Sequence, residues 1–262
     1  MVVKADKLRS VSALRLYDEF CSAAMMLTRL PLPPISRPLP PLNEAMWAFP
    51  LIGLIVGAGA ASVGSLALYL NLPPFIACLL TLAAAALLTG ALHEDGLADM
   101  ADGFGAGGTA DRISAIMKDS QIGSYGALSL VLIVILRVSL LTELTYSALG
   151  FGICFILASM FGRGMAVILC RAYPISPLAS LGRLAALPPQ PVLFISIVFW
   201  LIPLWLIAGP AGLIAACLGG ILLLWTGRIA TTKLGGITGD IIGSAILLSE
   251  TAFLIGLVGV LA

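Results

Sequence analysis

The sequence predicts an all-α protein: a polytopic transmembrane helical bundle of about seven spans, with an amphipathic helix at its N-terminus and a cytoplasmic acidic loop. Three observations carry that prediction. Hydrophobic residues fill 60% of the 262 positions and charged residues only 10%, and the mean hydropathy of +1.10 lies outside the range of soluble domains. Apolar stretches approaching the ~20 helical residues needed to cross a hydrocarbon core of about 30 Å recur along the chain. The connections between these stretches divide cleanly by charge. A net charge of +1 offers no footing for nucleic-acid binding.

Residues 10–30 fit an amphipathic surface helix, with Val11, Leu14, Leu16, Phe20, Ala24 and Leu27 forming a loose apolar stripe. The basic N-terminus has no uninterrupted apolar core or small-residue cleavage site after it, so it does not read as a cleaved signal peptide. The spans follow at about 46–70, 73–92, 127–149, 150–170, 192–208, 211–227 and 242–262. The fifth and sixth of these are short. The five cysteines form no CxxC pair and mostly lie within apolar segments, as small core residues do.

If the chain alternates through seven spans, every Lys and Arg outside them falls on the N-terminal side, from Lys4 through Arg37, Arg112 and Arg183 to Lys233. The opposite connections, near 71–74, 147–151 and 208–212, carry none. The positive-inside rule therefore predicts that the N-terminus and the acidic loop are cytoplasmic, in a bacterium at the inner membrane. The expected organisation is one integral-membrane domain over 1–262. It comprises an interfacial segment (1–45), an acidic loop (93–126) and a second loop segment (228–241).

Chemistry concentrates in the acidic loop. Six of the thirteen carboxylates, Glu94, Asp95, Asp99, Asp102, Asp111 and Asp119, fall within HEDGLADMADGFGAGGTADRISAIMKD. If the second span continues as a helix, Asp95, Asp99 and Asp102 are spaced i, i+4, i+7 and lie within about 60° on one face. Like charges placed so closely repel unless a cation binds them, and Mg²⁺ is the expected ion. Glu94 lies about 100° away and joins them only if the helix breaks nearby, as Gly96 permits. Gly103 to Gly108 then ends the helix and offers a backbone, through Gly103 and Gly105, that can approach a phosphate. Thr109 to Asp111 can cap the next helix, while Arg112 and Lys118 complete the parts of a phosphoryl-transfer site. The competing reading is a solvated helix whose acids pair with Arg112 and Lys118.

A second constellation, KLGGITGD (233–240), places Thr238 and Asp240 at the start of the last span, either as ligands of the metal or phosphate or as a simple helix cap. Its glycines predict an irregular, re-entrant segment. His93, the only histidine, suits a general base for a hydroxyl or an interfacial polar residue. Arg137, Arg163 and Glu250 lie inside spans, where charges need partners, so Glu250 is expected to pair with Arg137 or Arg163.

The strings HEDGLADMADGFG, DRISAIMKDSQIGSYG and GGITGD, with LTRLPLP (27–33) and WAFPLIGLIVG (47–57), resemble the cobalamin synthase family, the adenosylcobinamide-GDP ribazoletransferases. The likeness runs in order from about residue 20 to the C-terminus. It implies a Mg²⁺-dependent membrane enzyme that joins adenosylcobinamide-GDP to α-ribazole, or its 5′-phosphate, and releases GMP. It also implies functional roles for Glu94, Asp95, Asp99 and Asp102 in the acidic motif, for Lys118 and Asp119 in the MKDS motif, and for Asp240 in the TGD motif. Ile246 and Leu247 stand where that family often has polar residues. Self-association within the lipid bilayer is left open.

Two other readings compete. A CDP-alcohol phosphotransferase would share Asp95-Gly-Leu-Ala-Asp99 but needs an Arg where an acid stands here. A transporter would line a midplane path with Arg137, Glu143, Arg163 and Glu250, yet this chain concentrates its acids in one cytoplasmic loop.

Overall fold

A computed structural model describes residues 2–33, 38–179 and 187–261, and its elements are helices, with one isolated parallel bridge between Ile175 and Ile237. Arg37 and Arg183 of the charge partition lie outside the described residues. The helices are α1 (Val2–Leu27), α2 (Leu42–Ala45), α3 (Phe49–Tyr69), α4 (Pro74–Thr89), α5 (Leu92–Ala106), α6 (Ala110–Met117), α7 (Ser124–Leu144), α8 (Gly150–Ala172), α9 (Gln190–Leu234) and α10 (Gly239–Leu261).

Five helices are long and apolar enough to cross a membrane, or six with α4 and α5 taken as one bent span. The count differs from seven mainly because α9 holds two of the expected spans. Its 45 residues would extend about 67 Å at 1.5 Å per residue, over twice the thickness of a hydrocarbon core. The helix is broken at Gly209, whose φ of 53° and ψ of −138° are not helical, and Pro210 follows. Leu128, Leu132 and Ile135 on α7 and Leu206, Ile221 and Trp225 on α9 are exposed, the apolar outer surface expected of a bundle that faces lipid.

The first helix starts earlier than expected and is not merely a surface element. Cys21, Ala23, Ala24 and Leu27 are buried. Glu19 accepts a hydrogen bond from Trp47 Nε1 at 2.7 Å, which ties α1 to the segment leading into α3, and another from Arg15 Nε at 3.0 Å within α1.

The largest departure from the sequence reading is between α4 and α5. The second span does not continue as a straight helix into the acidic run: α4 ends at Thr89 and α5 leaves it at 90°. Gly90 and Ala91 both adopt positive φ, at 68° and 57°, and the Ala91 N–H returns to the Ala86 carbonyl at 2.7 Å, closing α4. A left-handed alanine costs about 1–2 kcal/mol. The elbow is held in place by the Arg29 N–H, which donates to the Leu88 carbonyl at 2.8 Å.

At the centre, α8 and α10 are the most enclosed helices, with α3, α5, α7 and α9 packed around them. A Cβ on Gly53 would collide with the Ser159 carbonyl, so the small residue sets the close approach of α3 to α8. A buried ion triad links α7, α8 and α10. Glu250 gives Oε2 to Arg137 Nη2 at 2.8 Å and Oε1 to Arg163 Nη1 at 2.9 Å, and Arg163 also donates to the Ser159 carbonyl at 3.1 Å. Glu250 thus pairs with both arginines rather than one.

Candidate active site

The acidic residues are displayed by α5, which lies across one end of the bundle, packed on α10 and α7. It begins after the elbow and runs unbroken through Gly96. The break that Gly96 would permit does not occur; Gly96 instead lets α10 come close, and a Cβ there would lie 2.7 Å from the Asp240 carbonyl oxygen. Ser244 Oγ reinforces the contact by bonding the Gly96 and Asp240 carbonyls at 2.7 and 2.6 Å. The α10 N-terminus is in turn fixed by the Ile175–Ile237 bridge, flanked by N–H···O bonds of 2.9 Å from Ser176 to Ile237 and from Ile237 to Pro174, and by Ser176 Oγ on the Leu234 carbonyl. The segment between α9 and α10 is therefore a short tied linker. Thr238 caps α10, accepting from the Ile241 N–H at 3.3 Å, and its hydroxyl lies 3.4 Å from Asp240 Oδ2.

Three adjoining clefts meet here. The first is lined by Glu94, Asp95, Asp99, Lys118, Asp119 and Gln121, among others. The second holds Ser114, Lys118, Thr238 and Asp240. The third is mostly apolar, with His93, Asp95 and Asp240 in its wall. Lys118 thus joins the first two, Asp240 the last two, and Asp95 the first and third. Lys118 Nζ also donates to the Leu178 carbonyl at 3.1 Å, and Asp119 Oδ1 receives the Gln121 N–H at 3.0 Å.

The carboxylates sense one another. Partial burial, followed by the charges of Asp95, Asp240 and Asp102, pushes the Asp99 carboxyl up to about 7. Glu94 Oε2 is buried and finds no hydrogen-bond partner. His93 is buried as well, its Nε2 unpartnered; burial, with the Arg163 and Arg137 charges beyond, holds its pKa well below the usual histidine range.

Asp102 is directed elsewhere. Its Oδ2 accepts the Gly123 N–H at 2.7 Å and its Oδ1 the Gly126 N–H at 2.9 Å, so both oxygens satisfy the orphan amides at the start of α7. Sequence spacing put Asp102 on the metal face without revealing this partner 21 residues downstream. Gly103 and Gly105 lie inside α5, which extends to Ala106. Their missing side chains admit Met117 and Tyr125. Thr109 caps α6 by accepting the Arg112 N–H at 3.4 Å; Arg112 and Asp111 are exposed there and line none of the three clefts.

Among the described residues no three His, Cys, Asp or Glu side chains already form a metal-holding group. The donors nevertheless fit Mg²⁺, which binds through one or two carboxylates, waters and substrate phosphates rather than an all-protein cage. Asp95, Asp99 and Asp240 are hard oxygen donors of this kind, and the raised Asp99 pKa comes first from burial and then from the repulsion of neighbouring carboxylates, which a cation would relieve. Sequence reasoning did not anticipate the apolar cleft, because Met26, Leu42, Met46 and Ile246 come from four separate elements that only the fold brings together.

The fold and this face define a polytopic apolar-helix enzyme that gathers its carboxylates at one end of the bundle. The chain belongs to the cobalamin-5-phosphate synthase family, whose model matches residues 19–258. It is 39% identical over 228 residues to the adenosylcobinamide-GDP ribazoletransferase of Bradyrhizobium diazoefficiens, covering 82% of this chain and 85% of that one. With the protein of the same name from Mesorhizobium japonicum it shares 33% over 246 residues, 94% of this chain and 95% of the relative. With that of Shewanella frigidimarina it shares 38% over 242 residues, 90% and 92%. No solved structure matches. Family membership sets aside the CDP-alcohol phosphotransferase and transporter readings.

Proposed function

We propose that this protein joins adenosylcobinamide-GDP to α-ribazole, or to its 5′-phosphate, with release of GMP. The observation that carries this reading is the convergence of Asp95, Asp99 and Asp240 from α5 and α10 with Lys118 at the shared edge of two clefts. A ribose hydroxyl of the acceptor attacks the phosphorus nearer cobinamide; the new P–O bond forms as the bond to GMP breaks. The hydroxyl proton passes to a carboxylate of this face. We assign that role to Glu94, which lines the first cleft and whose Oε2 has no partner among the described residues. Lys118 faces the negative charge of the transferred phosphoryl group, and Asp119 shapes the turn that presents it.

Asp95, Asp99 and Asp240 would hold Mg²⁺, which supplies charge neutralisation on the phosphoryl oxygens and the leaving phosphate. The distribution of Lys and Arg supports a cytoplasmic location for this end and the N-terminus, at the bacterial inner membrane, where soluble nucleotide-activated substrate arrives.

The test is a turnover assay with membranes containing the protein, both substrates and Mg²⁺, scored for GMP and for the cobalamin product. Wild type releases GMP. Asp99→Asn and Asp240→Asn lose about a hundredfold or more in turnover, in the range seen when electrostatic stabilisation of a transition state is removed. Absence of GMP with wild type overturns the reading.

A further inference from the structure

The apolar cleft beside the acidic face has a composition that the phosphoryl-transfer chemistry does not call for. Met26 and Leu27 of α1, Met46 and Phe49 at the start of α3, and Ile242 and Ile246 of α10 make most of its surface. Into this setting α5 brings one neutral-type donor group, His93, which is 4% exposed and whose Nε2 has no hydrogen-bond partner among the described residues. A polar ring atom buried without a partner costs about 1–3 kcal/mol, a cost a ligand can remove. The remaining polar wall is Asp95 and Asp240, which the cleft shares with the acidic site.

We propose that this cleft is the subsite for the base of the acceptor nucleoside, a flat benzimidazole held by the apolar walls and hydrogen-bonded through its one free ring nitrogen to His93 Nε2–H. The proposal rests on the ribazoletransferase reading. The match is one of kind and number. The base presents an apolar aromatic surface and a single in-plane acceptor, and the cleft presents apolar side chains with His93 in its wall, whose buried Nε2 is left without a partner among the described residues. A purine with several polar edge groups would leave donors and acceptors unpaired against Met46, Phe49 and Ile246, which disfavours it. With the base seated there, the attached ribose emerges at Asp95 and Asp240, where its hydroxyls meet the acidic face. His93 is then a specificity residue that touches the acceptor, not the base that accepts the hydroxyl proton.

The experiment uses the full chain in lipid nanodiscs with adenosylcobinamide-GDP and two acceptors: α-ribazole, and the dimethylindole riboside in which a C–H replaces the free ring nitrogen. Wild type is expected to show a KM for the indole riboside about tenfold above that for ribazole, with similar kcat, the size of effect expected for one buried hydrogen bond. In His93→Phe the two acceptors become equivalent, and His93→Gln, which keeps an N–H donor, recovers part of the difference. Met26→Trp, at an exposed edge of the cleft, raises the KM for ribazole about tenfold and leaves that for adenosylcobinamide-GDP unchanged.

If wild type does not distinguish the two acceptors, or if Met26→Trp leaves the ribazole KM unchanged, the subsite is overturned; release of a co-purified lipid by Met26→Trp with that KM unchanged assigns the cleft to an acyl chain. These outcomes all require a wild type that turns over. A wild type that releases no GMP with either acceptor overturns the ribazoletransferase reading itself, and the subsite with it.

Discussion

Gly96 lies directly against Asp240: the absence of a side chain on α5 allows the α10 backbone to come close enough that a methyl group would sit 2.7 Å from the Asp240 carbonyl oxygen. Two walls of the acidic site are thereby fixed relative to each other by backbone rather than by flexible side chains. Gly96→Ala should force them apart, costing about 1–3 kcal/mol as overpacking does, and turnover should fall more than tenfold. Gly220→Ala, on α9 with open space around it, is the control and should match wild type in both thermal unfolding and GMP release.

Asp102 and Asp99 should behave differently although they share a helix face. Asp102→Asn removes one of two acceptors for the Gly123 and Gly126 amides, so stability should fall by about 1–3 kcal/mol while the Mg²⁺ concentration for half-maximal turnover stays constant. Asp99→Asn should raise that concentration with little loss of stability. A Mg²⁺ titration of each variant beside a detergent unfolding series separates the two roles.

The pH dependence follows from Asp99. Its folded pKa of about 7 lies above the ordinary 3.8, so between those values the folded state holds a proton that the unfolded state has lost. Without a divalent cation, the Asp99 contribution to stability therefore declines as pH rises from about 4 to about 7. A bound cation favours the ionised carboxylate and opposes the decline. Stabilisation by Mg²⁺ should accordingly grow between about pH 6 and pH 8, and Asp99→Asn should flatten that growth in thermal unfolding of the solubilised protein.

The buried triad gives a prediction independent of substrate. Glu250→Gln leaves Arg137 and Arg163 without their shared counter-charge and should cost about 3–5 kcal/mol. Replacing all three residues by methionine should recover much of that loss, because no buried charge remains. The measurement is resistance of the solubilised protein to denaturant.

The sequence made the membrane character legible because hydropathy needs no tertiary information, and Glu250, Arg137 and Arg163 could be matched because charges inside spans require partners. That Glu250 serves both arginines was not legible, since helix rotation within the bundle decides it. The elbow was hidden because Leu88-Thr-Gly-Ala91 reads as more of an apolar helix, and the positive φ of an alanine has no sequence mark. Acid spacing put Asp95, Asp99 and Asp102 close enough for their charges to meet, but it could not show that Asp102 accepts the Gly123 and Gly126 amides, because periodicity reports the face of a helix and not the partner beyond it.

The right-angle turn at Gly90 and Ala91 also decides where the chemistry is located relative to the bilayer. α4 is 16 residues long, about 24 Å, and the turn lays α5 sideways on its end like a shelf on a post. The height of that shelf is set by the post. Adding or deleting a helical turn in α4 would raise or lower every acidic side chain together, changing which medium each half of an amphiphilic corrinoid meets.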